Sequence, residues 1–207
     1  RGLTAFIVEK GTPGFRLGKE DKKMAFGALS NPELIFEDAQ VSAENLLYRE
    51  RGGFRVAMET LSVGRIGMAV GAVGLAQAAL DTAVKYALER EQFGQPIAEF
   101  QAIQFMLADM ATEIEAARLL AHKAAWLKDR GEDYDKLAAM AKVYSSEVAS
   151  RAASKAVQIH GGYGYTVEYP VERYYREAKL FEIVEGTSEV QRMVVANRVL
   201  KESRRGR

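Results

Sequence analysis

A glutamate near the C-terminal end of the chain has the neighbours expected of a general base. Glu185 lies in the run FEIVEGTSE at residues 181–189, directly after two aliphatic residues and before a glycine. Apolar neighbours limit the hydration of a carboxylate, which suits a base for a weakly acidic carbon. Most isolated glutamates are simply solvated, and helix capping alone explains the hydroxyls of Thr187 and Ser188. Glu185 is therefore a candidate base at the entry of a helix.

A cation, an amide and an aromatic residue follow one another near the predicted end of a long helix. The segment EREQFGQP at residues 89–96 contains Arg90, Gln92 and Phe93. Arg90 could be a solvated charge favoured by the helix dipole. Alternatively, its guanidinium group could bind a phosphate, for which its fixed fork of donors is suited. The segment by itself leaves both roles open.

A loop rich in glycine and tyrosine, QIHGGYGY at residues 158–165, follows a second long helical pattern. Gly161 or Gly162 would be an ordinary helix terminator. Three glycines within four positions also allow the backbone to come close to a planar or phosphorylated ligand. His160 alone is more typical of a packed or capping residue than of a catalyst. The spacing is a weak indication of a ligand site.

Four glycines, at positions 64, 67, 71 and 74, are three or four residues apart. This spacing places them on one face of a helix. Small residues allow close helix packing, and a bare helix face could equally accept a flat ligand or an acyl chain. Both roles can hold at different heights of the same helix.

Long segments of helical periodicity must position these residues. They begin after Gly52-Gly53, and the only later prolines, Pro96 and Pro170, predict turns. We predict helices at about 54–90, 100–129 and 134–159, and a fourth that begins near 187. Four amphipathic helices with short connections predict a mainly α fold, an up-and-down four-helix bundle.

The first 50 residues have a different pattern. Short apolar runs at Thr4–Val8 and Leu34–Phe36, separated by glycine and proline, indicate strands with turns between them. A sheet this small should pack on the remainder or on strands outside the sequence. We predict a partial β-sheet domain at residues 1–50 and a helical bundle at 51–207. A start inside a strand, without an initiator Met, suggests a fragment or a processed chain.

Composition excludes several classes of protein. The 207 residues contain 29 Lys and Arg against 28 Asp and Glu, so no strong field attracts nucleic acid or an anionic membrane. The chain has no Cys and two His, which argues against disulfides, a thiolate metal site or a histidine cage. The most apolar stretch, at 66–80, is shorter than the ~20 residues of a membrane span. We therefore predict a soluble protein without a metal or membrane insertion.

Four segments, taken in order, resemble the acyl-CoA dehydrogenase family. They are GRIGMAVGAVGLAQAALD, YALEREQFGQPIAEFQ, QIHGGYGYTVEYPVERYYREAK and IVEGTSEVQR. The resemblance implies an N-terminal helical domain, a middle β domain and a C-terminal four-helix bundle, with FAD between the last two. This chain would hold the end of the β domain and the whole bundle, and would lack the N-terminal helical domain and the first β strands.

The resemblance implies that Glu185 removes the α proton of an acyl-CoA thioester while hydride passes from the β carbon to flavin N5, giving a trans-2-enoyl-CoA. Some relatives place the base on the first bundle helix, where this chain has Gly64. Gly186 and Arg65 match positions on the substrate side, and the N–H of Glu185 would help to hold the thioester carbonyl. Many relatives have Asp where this chain has Ser62.

The resemblance also assigns residues to FAD, some of which reach the flavin of a neighbouring subunit. The cofactor-binding positions are Arg90, Gln92, Phe93 and Gln101, then Gln158, Gly161 and Gly162, and finally Thr187 and Glu189. Sharing of this kind implies a homodimer or a homotetramer built as a dimer of dimers.

The implied activity is FAD-dependent acyl-CoA dehydrogenation in fatty acid metabolism, with an electron-transfer flavoprotein as the electron acceptor. The implied compartment is bacterial cytoplasm or mitochondrial matrix. One alternative is an acyl-CoA oxidase, which shares the fold and the base but reduces oxygen. Another is a helical scaffold or assembly fragment without catalysis.

Overall fold

The computed structural model describes residues 2–205 and divides the chain into two compact units that meet between Leu61 and Ser62. Because that division falls inside the first long helix, the domain boundary after residue 50 stays a prediction.

The first unit contains two antiparallel strand pairs. Strand β1 (Ala5–Phe6) pairs with β4 (Leu46–Leu47), and β2 (Phe15–Glu20) pairs with β3 (Pro32–Phe36). Strand β2 lies outside the two predicted apolar runs, because its sequence FRLGKE has a glycine and three charges. No apolar side chain of described residues 2–61 is fully buried, which agrees with the expectation that so small a sheet cannot bury a face alone.

Helices dominate the second unit, and the first of them begins before the division at Leu61. A short hairpin of β5 (Glu91–Gln92) and β6 (Gln95–Pro96) separates the first two helices. The long helices are α1 (Gly53–Glu89), α2 (Gln101–Asp129), α3 (Asp135–His160), α4 (Val171–Ile183) and α5 (Ser188–Arg205). The predicted mainly α bundle is confirmed, and the bounds of α1, α2 and α3 agree with prediction to within a residue.

Helix α4 was not predicted. Its sequence, VERYYREAKLFEI, is short and carries six charged residues, so its apolar stripe was too sparse to identify. Pro170, which predicted only a turn, is the residue at which this helix is capped. Proline is common at a helix start because its missing N–H has no helical partner there.

The core of the bundle is built largely from alanine. Helix α1 contributes Ala72, Ala76 and Ala79, all fully buried against residues such as Met110 of α2 and Val148 of α3. Small side chains permit short distances between helix backbones, so several helices can meet around α3. The residues described below are therefore held on closely packed helices.

Helix α1 is also long and apolar enough to cross a membrane, by length and composition only. The core helix of a soluble protein meets the same test, and α1 buries a row of alanines against α2 and α3. Helix α1 also carries a charged residue, Arg65, which is buried and forms an ion pair with Asp135 of α3. These contacts favour the role of a core helix.

Candidate functional site

The segment between α4 and α5 is a tight turn that presents Glu185. Helix α4 ends as the N–H of Val184 donates to Leu180 O, and α5 begins as the N–H of Gln191 donates to Thr187 O. Between them, Glu185 has φ +54° and Gly186 has φ +90°. Both lie in the left-handed region, which costs a residue with a side chain about 1 kcal/mol. The turn projects Glu185 towards α1.

The carboxylate of Glu185 rests on the bare backbone of Gly64. A Cβ atom on Gly64 would lie 2.6 Å from Oε2 and 2.9 Å from Cδ of Glu185. Oε2 is buried, and no group in residues 2–205 donates a hydrogen bond to it. A carboxylate oxygen that is screened from water and has no donor keeps its lone pairs for a proton, as a base requires.

The four glycines of α1 have two kinds of surroundings. A Cβ on Gly71 would lie 3.0 Å from the ring of Phe181, so Gly64 and Gly71 permit close contacts. At Gly67 and Gly74 no described atom lies within 4 Å of such a Cβ. The stripe therefore makes close contacts at Gly64 and Gly71 and faces open space at Gly67 and Gly74, and its role in accepting a ligand stays a prediction.

Two buried side chains hold the carbonyl groups of the turn. Lys142 Nζ donates to Gly186 O at 2.8 Å, and Gln191 Nε2 lies 3.0 Å from both Glu185 O and Gly186 O. Lys142 and Gln191 are both fully buried. Sequence reasoning missed them, although Lys142 falls on the buried face of α3 beside Ala138 and Ala141, where helical spacing could have identified it.

Arg65 lies next to Gly64 and is tied to the start of α3. Its side chain is buried, and Nη1 donates to Asp135 Oδ1 at 3.1 Å. Asp135 also accepts hydrogen bonds from Ser62 at 2.5 Å and from Arg198 at 2.7 Å. Asp135 is therefore the acidic partner of Arg65, a role that the uncharged Ser62 cannot fill. Arg65 Nε is buried with no partner among residues 2–205, so one donor remains for another group.

The network also changes the acidity of Asp135. Burial by itself would raise the pKa of Asp135, but hydrogen bonds from Ser62 and Arg198 and the charge of Arg65 outweigh burial and lower it. A lowered pKa means that the ionised form stabilises the fold above the ordinary pKa of Asp. That contribution is lost as the pH falls through the folded-state pKa.

We expect Asp135→Ala to lower the free energy of unfolding by about 2–4 kcal/mol, because it leaves the buried Arg65 guanidinium without its acid. The matched control is Asp133→Asn, which keeps a side-chain acceptor for the Asp135 N–H, removes the exposed charge that pairs with Arg198, and should cost less than about 1 kcal/mol. Urea unfolding of the three proteins measures both values. Equal losses for the two variants would contradict this account of the network.

A second concave region joins the end of α1 to the end of α3. Its volume is about 490 Å³, and Arg90, Gln92, Gly161 and Gly162 line it. A Cβ on either glycine would meet no described atom within 4 Å, so bare backbone borders the open space. Arg90 also lies 5.6 Å from the ring centroid of Tyr163. A cation, bare backbone and aromatic faces together suit a planar, phosphorylated ligand such as a dinucleotide.

The other predicted cofactor residues lie outside the cavity: three are exposed on the surface, and two lie next to Glu185. Phe93 is 93% exposed at the tip of the β5–β6 hairpin, and Gln101 and Gln158 are exposed at the start of α2 and the end of α3. These three do not line the cavity in the part of the chain that the structure describes. Thr187 and Glu189 instead adjoin Glu185, where the Thr187 hydroxyl lies 3.4 Å from the N–H of Val190 as a helix cap does.

His160 borders the cavity as a packed residue. Its ring stacks on Tyr86 with centroids 4.2 Å apart, and Nδ1 lies 2.8 Å from Ala156 O. Burial lowers the pKa of His160, and the hydrogen bond to Ala156 only partly offsets that effect. The neutral imidazole therefore donates to Ala156 O, as the predicted packing role requires.

The lowered pKa of His160 predicts a pH effect on stability. The unfolded state takes up a proton at a higher pH than the folded state does, so stability falls as the pH decreases below about 6.5. His160→Phe keeps a ring against Tyr86 and removes the titrating group. We expect its unfolding free energy to depend less on pH between 7 and 5 than that of the wild type. Parallel pH profiles in urea unfolding would contradict this.

A protein-family model matches most of the helical part. Residues 51–200 match the model described as "Acyl-CoA dehydrogenase, C-terminal domain". This range includes Glu185 and the whole of the cavity at Arg90.

Curated relatives match along nearly the whole chain. The short-chain specific acyl-CoA dehydrogenase of Rattus norvegicus mitochondria is 51% identical over 204 residues, which are 99% of this chain and 50% of the relative. The caffeyl-CoA reductase-Etf complex subunit CarC of Acetobacterium woodii is 52% identical over 201 residues, 97% of this chain and 53% of the relative. The chain thus spans about half the length of the curated relatives it matches.

A solved structure agrees with the fold. The structure of butyryl-CoA dehydrogenase from Megasphaera elsdenii superposes with a TM-score of 0.95 at 52% sequence identity. The match covers 96% of this chain and 52% of that chain.

Proposed function

Because the chain belongs to the acyl-CoA dehydrogenase family, we propose that its protein dehydrogenates an acyl-CoA thioester to the trans-2-enoyl-CoA. The observation that carries the proposal is the Glu185 carboxylate, which rests on Gly64 with a buried, unpartnered Oε2. Such an oxygen is suited to remove the proton next to a thioester carbonyl.

The residues around Glu185 support the same step. As the α proton leaves, negative charge develops on the thioester oxygen, and the backbone N–H of Glu185 would donate to it. Gly186 has no side chain, and its φ of +90° suits glycine. The unpartnered Nε of Arg65 would hold a group on the substrate side, since Asp135 already fixes the end of that guanidinium.

FAD is the cofactor we propose, and when bound it accepts the hydride that leaves the β carbon. Arg90 and Gln92 would hold its phosphates and adenosine part in the cavity, where Gly161 and Gly162 allow close approach. Phe93, Gln101 and Gln158 are exposed and do not line the cavity, so they would contact FAD outside it. Thr187 and Glu189 lie beside Glu185, apart from the cavity at Arg90, and would contact FAD there. Because the proposed FAD residues lie in separate places, we propose that FAD is shared between subunits of a homodimer or homotetramer.

An electron-transfer flavoprotein is the proposed acceptor, in agreement with the name of the Acetobacterium relative as part of an Etf complex. The same carboxyl group must return the proton in the reverse direction, so the geometry alone suits both directions. The names of the rat and Megasphaera relatives favour dehydrogenation. A bacterial cytoplasm or a mitochondrial matrix is the proposed compartment.

The test is anaerobic mixing of the full-length protein with butyryl-CoA. We expect the absorbance of oxidised flavin to fall while an equal amount of crotonyl-CoA forms. Oxygen is then admitted: slow peroxide formation favours a dehydrogenase, and rapid formation favours the oxidase. A purified protein that binds no flavin, or leaves butyryl-CoA unchanged, would contradict the proposal and favour a scaffold.

A further inference from the structure

Local preference alone does not hold the shape of the turn that carries Glu185. Glu185 has a side chain and a φ of +54°, a conformation that L residues rarely adopt. Such a conformation persists where the surroundings hold it in place. Contacts outside the turn must therefore fix the backbone at Glu185 and Gly186.

Three hydrogen bonds from buried side chains provide that restraint. Lys142 Nζ is 2.8 Å from Gly186 O, and Gln191 Nε2 is 3.0 Å from both Gly186 O and Glu185 O. Lys142 belongs to α3 and Gln191 to α5, so two helices hold both carbonyl groups of the turn. Orienting these two peptide groups also orients the Cα–Cβ bond of Glu185.

Burying the ammonium group of a lysine at this position costs desolvation free energy. Lys142 is fully buried among small residues of α3 such as Ala138, Ala141 and Ser145. Burial lowers the pKa of Lys142, and the nearby carboxylates of Glu182, Glu185 and Glu189 only partly offset it. An apolar side chain of similar length would fill the space without that cost. The ammonium group therefore points to a role other than packing.

We propose that Lys142 and Gln191 are positioning residues for the catalytic base, an inference that rests on the proposed function. By holding the carbonyl groups of Glu185 and Gly186, they fix the direction of the Glu185 side chain. They also hold the two peptide groups that follow the Glu185 Cα, and so restrain the backbone next to the Glu185 N–H, which faces the thioester carbonyl in the proposed reaction. Proton removal needs the Glu185 carboxylate and the Glu185 N–H to be correctly placed at the same time, because a shift of about 1 Å can cost about 10²-fold in rate.

The test compares Lys142→Met with Lys155→Met in the full-length protein. Both residues lie on α3, but Lys155 pairs with Asp109 at the partly exposed surface, away from the turn. For Lys142→Met we expect kcat with butyryl-CoA to fall by about 10- to 100-fold with KM changed by less than about twofold. Lys155→Met should leave both values at the wild-type level.

The isotope effect separates positioning from stability. With α-deuterated butyryl-CoA, Lys142→Met should show a larger isotope effect than the wild type, because proton removal becomes more rate-limiting. Bound flavin and melting temperature should stay near wild type. A loss of kcat with an unchanged isotope effect and a large fall in melting temperature would assign Lys142 to stability alone and overturn the inference.

Gln191→Met provides a second, independent variant. It removes the donor to both carbonyl groups while keeping the length of the side chain, so it should also lower kcat and raise the isotope effect. Wild-type kinetics in both variants would overturn the inference and leave the proposed function intact. A wild-type protein that does not oxidise butyryl-CoA at all would instead refute the proposed function.

Discussion

The Glu185→Gln variant is expected to reduce its flavin with butyryl-CoA about 10²- to 10⁴-fold more slowly than the wild type. Glutamine has nearly the same shape, so it can rest on Gly64, but its amide cannot accept the α proton. Oε2 of Glu185 is buried and receives no hydrogen bond from residues 2–205, so the substitution breaks no hydrogen bond to that atom. Anaerobic stopped-flow absorbance measures the rate directly.

The matched control for this variant is Glu177→Gln. Glu177 lies on α4, close to Glu185 in sequence, and its partly buried side chain pairs with Arg173. It should reduce flavin at the wild-type rate, and both variants should bind the same amount of FAD. If Glu185→Gln reduces flavin as fast as Glu177→Gln does, Glu185 is not the base.

The Gly64→Ala variant is expected to lower the rate of flavin reduction by up to about 100-fold with little change in stability. The added Cβ would lie 2.6 Å from Oε2 of Glu185, so the carboxylate must move. The carboxylate is the free end of a flexible side chain, so it can move without disturbing the helix backbone. A displacement of about 1 Å is enough for a loss of this size. Stopped-flow reduction and thermal unfolding give the two quantities.

Gly74→Ala is the control for the effect of alanine on α1. No described atom lies within 4 Å of a Cβ at Gly74, so the substitution fits without displacement. It should raise stability by roughly 0.5–1 kcal/mol, because alanine favours a helix over glycine. A Gly64→Ala enzyme with wild-type kinetics would show that the base does not depend on that bare surface.

The sequence predicts the three longest helices well, because each has apolar residues at helical spacing and ends near a glycine or a proline. Helix α3 ends at His160 and is capped by Gly161 with φ +58°, as a glycine terminator predicts. Helix α4 and strand β2 escape prediction because charged residues interrupt their apolar patterns. Their formation depends on tertiary contacts, such as those of buried Val171 and Ala178 with the bundle.

The candidate site is predictable only in part, for a similar reason. The local sequence makes Glu185 a candidate base through its apolar neighbours, and the resemblance assigns that role to it and a cofactor role to the residues around Arg90 and Gly161. No local pattern indicates that the Glu185 carboxylate rests on Gly64, which is 121 residues earlier in the chain. Asp135 and Lys142 likewise reach the site through the packing of α3, so their partners become evident only in the folded chain.

The most direct test of the central claim is a crystal structure of the full-length protein with FAD and a non-reactive acyl-CoA analogue. The account predicts that a carboxylate oxygen of Glu185 lies about 3–3.5 Å from the carbon next to the thioester, a distance suited to proton transfer. A Glu185 side chain that points into solvent, or a different basic group at that carbon, would contradict it.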